Sequence, residues 1–405
     1  MQNAAIEKLS PVRHLTPEQT HLIQRIKEFI ATHKGTEQPA VFVIHGDAGT
    51  GKSVILSHLF FQLQRASRDQ TSPLYQTNNY FLVNHPELLK VYRQLAGGLP
   101  DMLKKNFERP TTLINRVAKT NEHIDVTIVD EAHLLLSQPD HYNNFYGHDQ
   151  LTELLKLTKV LILVFDEHQV LRTKSFWTPA QLKKRLAPYP TEWAQLKQQF
   201  RMTASPSLLN WINAFTGDGE LLAMDQSFTS HYDFRIFSDA EAMRQTIIAK
   251  NNQVGLSRIV ATTGYPSVLD GGKHYIEEGD FRLPWDQYNH TATPWAEIPS
   301  TINEVGSIYT VQGFDLNYVG LILGPPVQLA PDGHHVLIDP AKNTDVVSFK
   351  GRALFKDDHQ YQSAEIQMIR NSVNVLMKRG VSGLYIFAHD PALSQKLLDD
   401  YNAIV

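Results

Sequence analysis

The octapeptide at residues 46–53, Gly-Asp-Ala-Gly-Thr-Gly-Lys-Ser, constrains the fold more than any other feature of this sequence. It matches the pattern G-x-x-x-x-G-K-[ST], whose glycines allow a tight turn that points backbone N–H groups inward. The apolar run 41–44 precedes it, and an amphipathic helical pattern begins near Lys52. A strand, a loop of this kind and a helix together bind phosphate groups at the helix N-terminus. The sequence therefore predicts a phosphate-binding loop on a parallel α/β sheet.

The loop predicts a nucleotide site, with ATP as the ligand. Lys52 is expected to reach the β- and γ-phosphates, and the hydroxyl of Ser53 to bind Mg²⁺. The residues assigned to nucleotide binding are Gly46, Asp47, Ala48, Gly49, Thr50, Gly51, Lys52 and Ser53. The alternative is a glycine-rich turn that fits by chance. The four fixed positions match by chance in roughly one chain of this length in a hundred.

Acidic residues follow two further apolar runs. Residues 126–129 precede Asp130 and Glu131, and residues 160–165 precede Asp166, with Gln169 three positions later. Because the carboxyl ends of parallel strands meet at one edge of a sheet, Asp130 would hold Mg²⁺ through water, and Glu131 would polarise the attacking water. Gln169 would sense the γ-phosphate or orient that water. A solvated strand end and an ordinary β–α turn remain the structural alternatives.

The pattern of the whole chain predicts an α/β fold with two domains, 1–203 and 204–405. Residues 16–30 form an amphipathic helical pattern that Thr16 would cap, and apolar runs at 41–44, 80–83, 126–129 and 160–165 indicate buried strands of one sheet. A second series has a helical pattern at 205–215 and strand patterns at 234–237, 258–261, 318–323 and 384–387. The stretch of about 264–300, with its glycine, proline and tryptophan, is predicted to be an irregular insertion.

Composition limits the chemistry further. The chain of 405 residues has no cysteine, which excludes disulfides, thiolate zinc sites, iron–sulfur clusters and a cysteine nucleophile. No apolar run approaches the ~20 residues of a membrane span, and the N-terminus lacks the pattern of a secretion signal. We expect no membrane association and a cytoplasmic location. The net charge of −4 does not by itself indicate a nucleic-acid binder.

Several motifs occur in an order that resembles superfamily 1 helicase motors, in which two RecA-like domains surround one ATP. The motifs are 15–19 (LTPEQ), the phosphate loop or Walker A motif, the acidic pair or Walker B motif, Asp166 with Gln169, 199–201 (QFR), 307–315 (SIYTVQGFD) and 374–380 (NVLMKRG). The chain is most similar to the bacterial Schlafen-like DNA/RNA helicase domain family, over about residues 15–390. The resemblance implies two RecA-like domains, each with a mainly parallel sheet flanked by helices.

The resemblance also implies roles for individual residues. Gln19 would read the adenine edge, with its amide as donor and acceptor. Gln169 belongs to the third motif, and Arg201 and Arg379 would be the two arginines that stabilise charge on the transferred phosphoryl group. The fifth motif contributes Gln312, Gly313 and Asp315 to the nucleotide site. For each arginine taken alone, a surface salt bridge is the alternative.

The sequence departs from the helicase pattern in three ways. Lys378 stands where the sixth motif usually has threonine, and Ser307 replaces the usual threonine of the fifth. The chain also leaves little room for the inserted domains with which many processive helicases grip a duplex. An ATP-driven motor is therefore better supported than duplex unwinding.

One tract has the composition of a nucleic-acid surface. Residues 156–201 hold nine lysines and arginines against three acids, interleaved with Phe176, Trp177, Tyr189 and Trp193. Basic and aromatic side chains together suit single-stranded DNA or RNA, although a solvated helix face with core aromatics is the alternative. The predicted function is ATP hydrolysis coupled to nucleic-acid binding or movement. The alternative is an ATP-switched regulatory or defence-related module that binds a protein partner without unwinding activity.

Overall fold

The computed structural model of the protein describes residues 9–11, 13–47, 49–196, 201–267, 272–287, 289–291, 293–311, 314–345, 348–350, 352, 355 and 357–405. Its helices are α1 (Pro17–His33), α2 (Lys52–Ala66), α3 (Pro86–Gly97), α4 (Pro110–Thr120), α5 (Gln150–Leu157), α6 (Pro179–Leu186), α7 (Pro206–Thr216), α8 (Ala240–Val254), α9 (Ile308–Val311), α10 (Asp358–Met377) and α11 (Pro391–Asn402). Within these described ranges, no helix is both long and apolar enough to cross a membrane.

The strands are β1 (Ala40–Gly46), β2 (Asn79–Val83), β3 (Phe107–Glu108), β4 (Ile124–Asp130), β5 (Thr158–Phe165), β6 (Thr191–Leu196), β7 (Asp233–Phe237), β8 (Ser257–Ala261), β9 (His274–Glu278), β10 (Phe281–Trp285), β11 (Val305–Gly306), β12 (Leu316–Leu323), β13 (Val327–Leu329), β14 (Val336–Ile338) and β15 (Gly380–Ala388). They confirm the predicted α/β class, since every strand and helix pattern singled out in the sequence coincides with an observed element.

The chain folds into two compact units. The amino-terminal unit contains the described residues up to Val170 and those from Lys174 to the end of β6. The carboxy-terminal unit contains Leu171–Thr173 and the described residues from Arg201 onward. The short segment Leu171–Thr173 belongs to the second unit, and the boundary at residue 203 stays a prediction.

The sheet of the amino-terminal unit has the order β3-β2-β4-β5-β1-β6 among the described residues, and each neighbouring pair is parallel. Its central strands are mostly apolar because both faces of a parallel sheet are covered by helices. β1, β4 and β5 end at Gly46, Asp130 and Phe165. The phosphate loop and both acidic turns therefore lie at the same edge of this sheet.

Helix α1 begins as its sequence predicts. Thr16 is the N-cap, and its hydroxyl accepts a hydrogen bond from the backbone N–H of Gln19, while Pro17 occupies the first turn. The apolar face of α1 is buried, and the ring of Phe29 packs edge-on against Phe42 of β1 at a centroid distance of 5.5 Å. In the core of the amino-terminal unit, leucines of α4, α5 and α6 pack against β1, β4 and β5.

The sheet of the carboxy-terminal unit has the order β7-β15-β12-β8-β11-β10-β9 among the described residues. All of its pairs are parallel except β9 with β10. The carboxy-terminal unit therefore has the mainly parallel sheet that the resemblance implies.

The expectation of an irregular stretch at 264–300 is wrong for β9 and β10, which form an antiparallel hairpin that extends the sheet. Phe281 pairs with Glu278, so the turn has two residues, and its Gly279 has the left-handed φ of 59° that such turns require. Alternating side chains, including Ile276 and Leu283, are buried. Pro284, a residue that normally argues against a strand, obscured this alternation in the sequence.

Trp177 offers a test of the core. Its side chain is buried, and its indole N–H donates to the Leu135 carbonyl at 2.7 Å. We expect Trp177→Ala to lower the free energy of unfolding by ~3–5 kcal/mol, as for other buried aromatic truncations. Trp177→Phe keeps an aromatic ring and should cost only about 1–3 kcal/mol. Urea unfolding followed by circular dichroism measures both, and a loss below ~1 kcal/mol for the alanine variant would contradict a core role.

Candidate nucleotide-binding site

The glycines of the phosphate loop occupy positions that only glycine fits well. Gly49 and Gly51 have left-handed φ angles of 89° and 81°, which strain any residue with a side chain. A Cβ on Gly46 would lie 2.7 Å from the hydroxyl oxygen of Thr50. Gly51 is also the N-cap of α2 and makes no side-chain cap bond. The first N–H groups of α2 thus stand at the loop, where a helix N-terminus favours an anion.

Lys52, the first residue of α2, is held inside the loop. Its ammonium donates to the carbonyl oxygen of Gly46, to that of Asp47 at 2.8 Å, and to the Oδ2 of Asp166 at 3.0 Å. The Lys52 side chain is 7% exposed and that of Asp166 2% exposed. The lysine is therefore held against the carbonyls of the loop and forms a buried ion pair with the third motif.

Ser53 and Asp130, the two predicted metal ligands, are neighbours. The hydroxyl of Ser53 lies close enough to the carboxylate of Asp130 to favour its ionised form, and the hydroxyl of Tyr92 on α3 donates to the Oδ2 of Asp130 at 2.7 Å. Burial, together with the nearby carboxylate of Glu131, raises the pKa of Asp130 above its usual range. No sequence pattern marks Tyr92, because its partner comes from a strand far along the chain.

Glu131 follows with an unusual backbone. Its φ and ψ of 54° and 48° are left-handed, which is rare for a residue other than glycine. Its carboxylate lies 3.0 Å from the Nε2 of His133, a fully buried histidine. The imidazole of His133 thus orients the predicted water-polarising carboxylate, a role that the sequence alone did not supply.

Asp166 is the centre of the third motif. Its Oδ2 accepts a hydrogen bond from the side-chain amide of Gln169 at 2.6 Å, and its Oδ1 accepts from the backbone N–H of His168 at 3.1 Å. Burial by itself would raise the pKa of Asp166, but the charges of Lys52 and His133 lower it to about 2. Gln169 is buried and is fixed by this carboxylate.

Asp47 of the loop meets the same turn from outside. Its carboxylate lies 3.1 Å from the Nδ1 of His168, and both side chains are about half exposed. This contact raises the pKa of His168. The turn after β5 is therefore attached to the phosphate loop at two points, one buried and one on the surface.

Gln19, the predicted adenine-reading residue, has a structural task as well. Its side-chain oxygen accepts from the backbone N–H of Thr16 at 3.0 Å, which completes the capping box at the start of α1. The side chain is buried. Adenine recognition by Gln19 stays a prediction. Because the side-chain oxygen is used in the capping box, the amide NH₂ group would make the contact with the base.

The fourth, fifth and sixth motifs meet in the carboxy-terminal unit. The guanidinium of Arg201 forms an ion pair with Asp315, and it also donates to the carbonyl of Lys378 at 3.4 Å. Arg379 is 1% exposed, and its guanidinium donates to the Phe314 carbonyl at 3.1 Å. The motifs are therefore neighbours in space although more than a hundred residues separate the first from the second.

Lys378, the departure from the helicase pattern, points to a different partner. Its ammonium donates to the side-chain oxygen of Asn213 on α7 at 2.7 Å. Several predicted residues lie outside the described residues, namely Ala48 of the phosphate loop, Gln199 and Phe200 of the fourth motif, and Gln312 and Gly313 of the fifth.

The basic and aromatic tract at 156–201 resembles a core more than a stacking surface. Trp177 is buried, and Phe176, Tyr189 and Trp193 are half-buried and packed against the core of the amino-terminal unit. Four of the cations have acidic partners, since Lys156, Lys174, Arg185 and Arg201 pair with Glu153, Asp140, Asp149 and Asp315. Within the described part of the tract, the structural alternative therefore accounts for its aromatic residues.

This chain is similar in sequence to a described protein family and to a yeast protein. Residues 39–390 match the family described as Schlafen group 3, DNA/RNA helicase domain. The uncharacterized protein YPL245W of Saccharomyces cerevisiae is 40% identical over 423 residues, which cover 97% of this chain and 92% of the yeast protein.

Two solved helicase structures are more distant. The crystal structure of Pif1 helicase from Candida albicans covers 97% of this chain and 100% of its own, at 13% identity and a TM-score of 0.35. The crystal structure of the DUF1998 helicase MrfA bound to DNA and AMPPNP covers 99% of this chain at 10% identity and a TM-score of 0.39. This chain spans only 52% of the MrfA chain.

The buried pair of Lys52 and Asp166 predicts a pH-dependent stability. Because the pKa of Asp166 is about 2 against a usual 3.8, its stabilising contribution is complete above about pH 4 and is lost as the pH falls through about 2. Asp166→Asn should lower the free energy of unfolding by ~3–5 kcal/mol at neutral pH, since it leaves Lys52 buried without its counter-charge.

The difference between wild type and Asp166→Asn should therefore be constant from about pH 7 to about pH 5 and shrink below about pH 4. Urea unfolding across this pH range measures it. Asp47→Asn, which removes a half-exposed carboxylate of the same loop, is the matched control and should cost less than ~1 kcal/mol. A difference between wild type and Asp166→Asn that does not change with pH would contradict the assignment.

Proposed function

We propose, since this chain belongs to the Schlafen group 3 DNA/RNA helicase domain family, that it hydrolyses ATP in a cycle coupled to binding, or movement along, single-stranded DNA or RNA. The family membership supports a helicase-like, nucleic-acid-linked NTPase in general. ATP as the nucleotide, Mg²⁺ as the metal and a single strand as the polymer are the finer parts of the proposal.

One observation carries the chemical part of the proposal, namely the convergence of Lys52, Ser53, Asp130 and Asp166 at one edge of a parallel sheet. Phosphoryl transfer needs a cation for the phosphates and oxygen ligands for a metal within one small site. The three motifs that supply these residues are far apart in sequence, and their proximity makes the loop more than a glycine-rich turn.

The donor set suits Mg²⁺. The hydroxyl of Ser53 and the carboxylate of Asp130 are hard oxygen ligands of the kind that this ion prefers. Tyr92 and the backbone N–H of Glu131 hold the two oxygens of Asp130 in fixed positions. When bound, Mg²⁺ would neutralise charge that develops on the β- and γ-phosphates.

The chain's own residues then divide the work. Lys52 would exchange its contacts with the Gly46 and Asp47 carbonyls for phosphate oxygens, since all of these compete for one ammonium. Glu131, oriented by His133, would accept a hydrogen bond from the attacking water. Gln169 would contact the γ-phosphate or the attacking water, and its hydrogen bond with the carboxylate of Asp166 would link this contact to the third motif.

The arginines would act from the carboxy-terminal unit. Arg201 and Arg379 carry charge that stabilises a transferred phosphoryl group when a guanidinium reaches it. The ion pair of Arg201 with Asp315 links the fourth and fifth motifs, so that the two would respond together. A reaction that depends on these groups would proceed only in some conformations, which is how hydrolysis is coupled to movement.

The decisive test of the function is ATP turnover with and without single-stranded DNA and RNA at two salt concentrations. We expect one or both polymers to raise the turnover rate, and the stimulation to weaken at higher salt as counterions compete for the phosphate contacts. Turnover that neither polymer changes would reject the nucleic-acid part of the proposal and favour an ATP-switched module that acts on a protein partner.

Glu131→Gln tests the hydrolytic site. The glutamine keeps the size of the side chain but cannot act as a base, so turnover should fall by ~10²–10⁴-fold while ATP affinity stays within about threefold. Steady-state turnover and binding of a fluorescent ATP analogue measure the two effects. Glu153→Gln, a change at the surface pair with Lys156, should alter neither. Equal loss of binding and turnover would mean that Glu131 is structural.

A further inference from the structure

A loop directly after the acidic pair presents two tyrosines to solvent. Residues 138–148, which we name the tyrosine loop, connect the turn after β4 to α5. Tyr142 is 91% exposed and Tyr146 67%, whereas the next most exposed tyrosine among the described residues, Tyr75, is 37% exposed. Two rings so fully in water within one loop form an exposed aromatic surface, and exposed surface of this kind marks interaction sites.

The loop that carries these rings is firmly anchored. Asp140 and Phe145 exchange two backbone hydrogen bonds, of 2.9 and 3.0 Å, and the ring of Phe145 is fully buried in the core. Asn144 takes a left-handed turn with a φ of 58°, and its carbonyl accepts from the side chain of Asn115 on α4 at 2.8 Å. The tyrosines are therefore displayed by an ordered backbone, which lowers the entropy cost of binding through them.

The acids of this segment are turned inward. Asp140 is 4% exposed and pairs with Lys174 at 2.7 Å, and Asp149, just beyond the loop, is fully buried and pairs with Arg185 at 3.2 Å. The exposed side chains of the tyrosine loop after Pro139 are His141, Tyr142, Asn143, Asn144, Tyr146 and His148. This surface of rings and amides carries no carboxylate, although the whole chain is net negative.

The rings are also arranged for stacking. The imidazole of His141 lies parallel to the ring of Tyr146, with 5.1 Å between centroids and 25° between planes. Lys119 is exposed one helical turn after Asn115 on α4, so it lies on the helix face that meets the loop. Planar rings beside a cation match a polymer of flat bases and phosphates.

We propose that the tyrosine loop is a stacking platform for the bases of a single-stranded nucleic acid. This inference rests on the proposed function and adds to it a contact surface that none of the helicase motifs supplies. A protein partner would favour an apolar interface core, but the exposed side chains of the loop after Pro139 are rings and amides and include no aliphatic residue. Stacking of one base on an aromatic ring is worth ~5- to 150-fold in affinity and tolerates any base.

The test compares binding of fluorescent oligothymidylate and oligouridylate of about 20 nucleotides, longer than a typical single-strand site. Tyr142→Ala/Tyr146→Ala should weaken binding by at least ~10-fold, since two stacking rings are lost. Tyr142→Phe/Tyr146→Phe keeps both rings and should bind within about twofold of wild type. Tyr75→Ala is the matched control and should change nothing. The DNA and RNA arms show which polymer is preferred.

Two further measurements separate the outcomes. ATP turnover without nucleic acid should be equal in wild type and both double variants, because no hydrogen bond or ion pair described for the loop joins it to a described residue of the nucleotide site. Photo-crosslinking of a 5-iodouridine oligonucleotide should label Tyr142 or Tyr146. If wild type binds and the alanine variant binds equally, the platform is overturned while the proposed function stands, and a protein partner becomes the better occupant. If wild type binds neither oligonucleotide, both proposals fail.

Discussion

The buried ion pair between Lys52 and Asp166 joins the carboxyl ends of β1 and β5, and the rest of the candidate site is arranged around it. Neither charge would be tolerated alone at such low exposure, because a buried ion without its counter-charge costs several kcal/mol. Asp166 also holds Gln169, and its pKa is lowered by His133, which contacts Glu131. The phosphate loop, the acidic pair and the third motif therefore form one connected array of polar side chains. A displacement of Lys52 would therefore affect all three motifs.

Much of this site was predictable because its constraints are local. Gly49 and Gly51 are required by left-handed φ angles, and the positions of Asp130 and Asp166 follow from apolar runs that must be central strands. What the sequence could not supply depends on contacts between distant segments. Tyr92 meets Asp130 from α3, and no pattern in its own helix marks it. The hairpin β9–β10 was missed because a proline interrupts its alternation.

The carboxy-terminal unit illustrates how a family resemblance and a structure complement each other. The motif order alone assigned Arg201, Asp315 and Arg379 to one site, and the structure places Arg201 and Asp315 in an ion pair, with Arg379 bonded to the residue that precedes Asp315. The ammonium of the unusual Lys378 forms a hydrogen bond with Asn213 of α7, so it contributes to contacts within the carboxy-terminal unit. Membership of the Schlafen-like helicase family is confirmed by the match over residues 39–390.

The left-handed backbone at Glu131 has a consequence for how this protein can change over generations. A residue with a Cβ at such angles costs about 1–2 kcal/mol, which glycine would recover. The substitution Glu131→Gly would thus stabilise the fold while it removes the carboxylate. Stabilising substitutions of this kind are easy to find, because proteins are rarely at their optimum of stability. The side chain that glutamate brings to this position therefore comes at the expense of a more relaxed backbone.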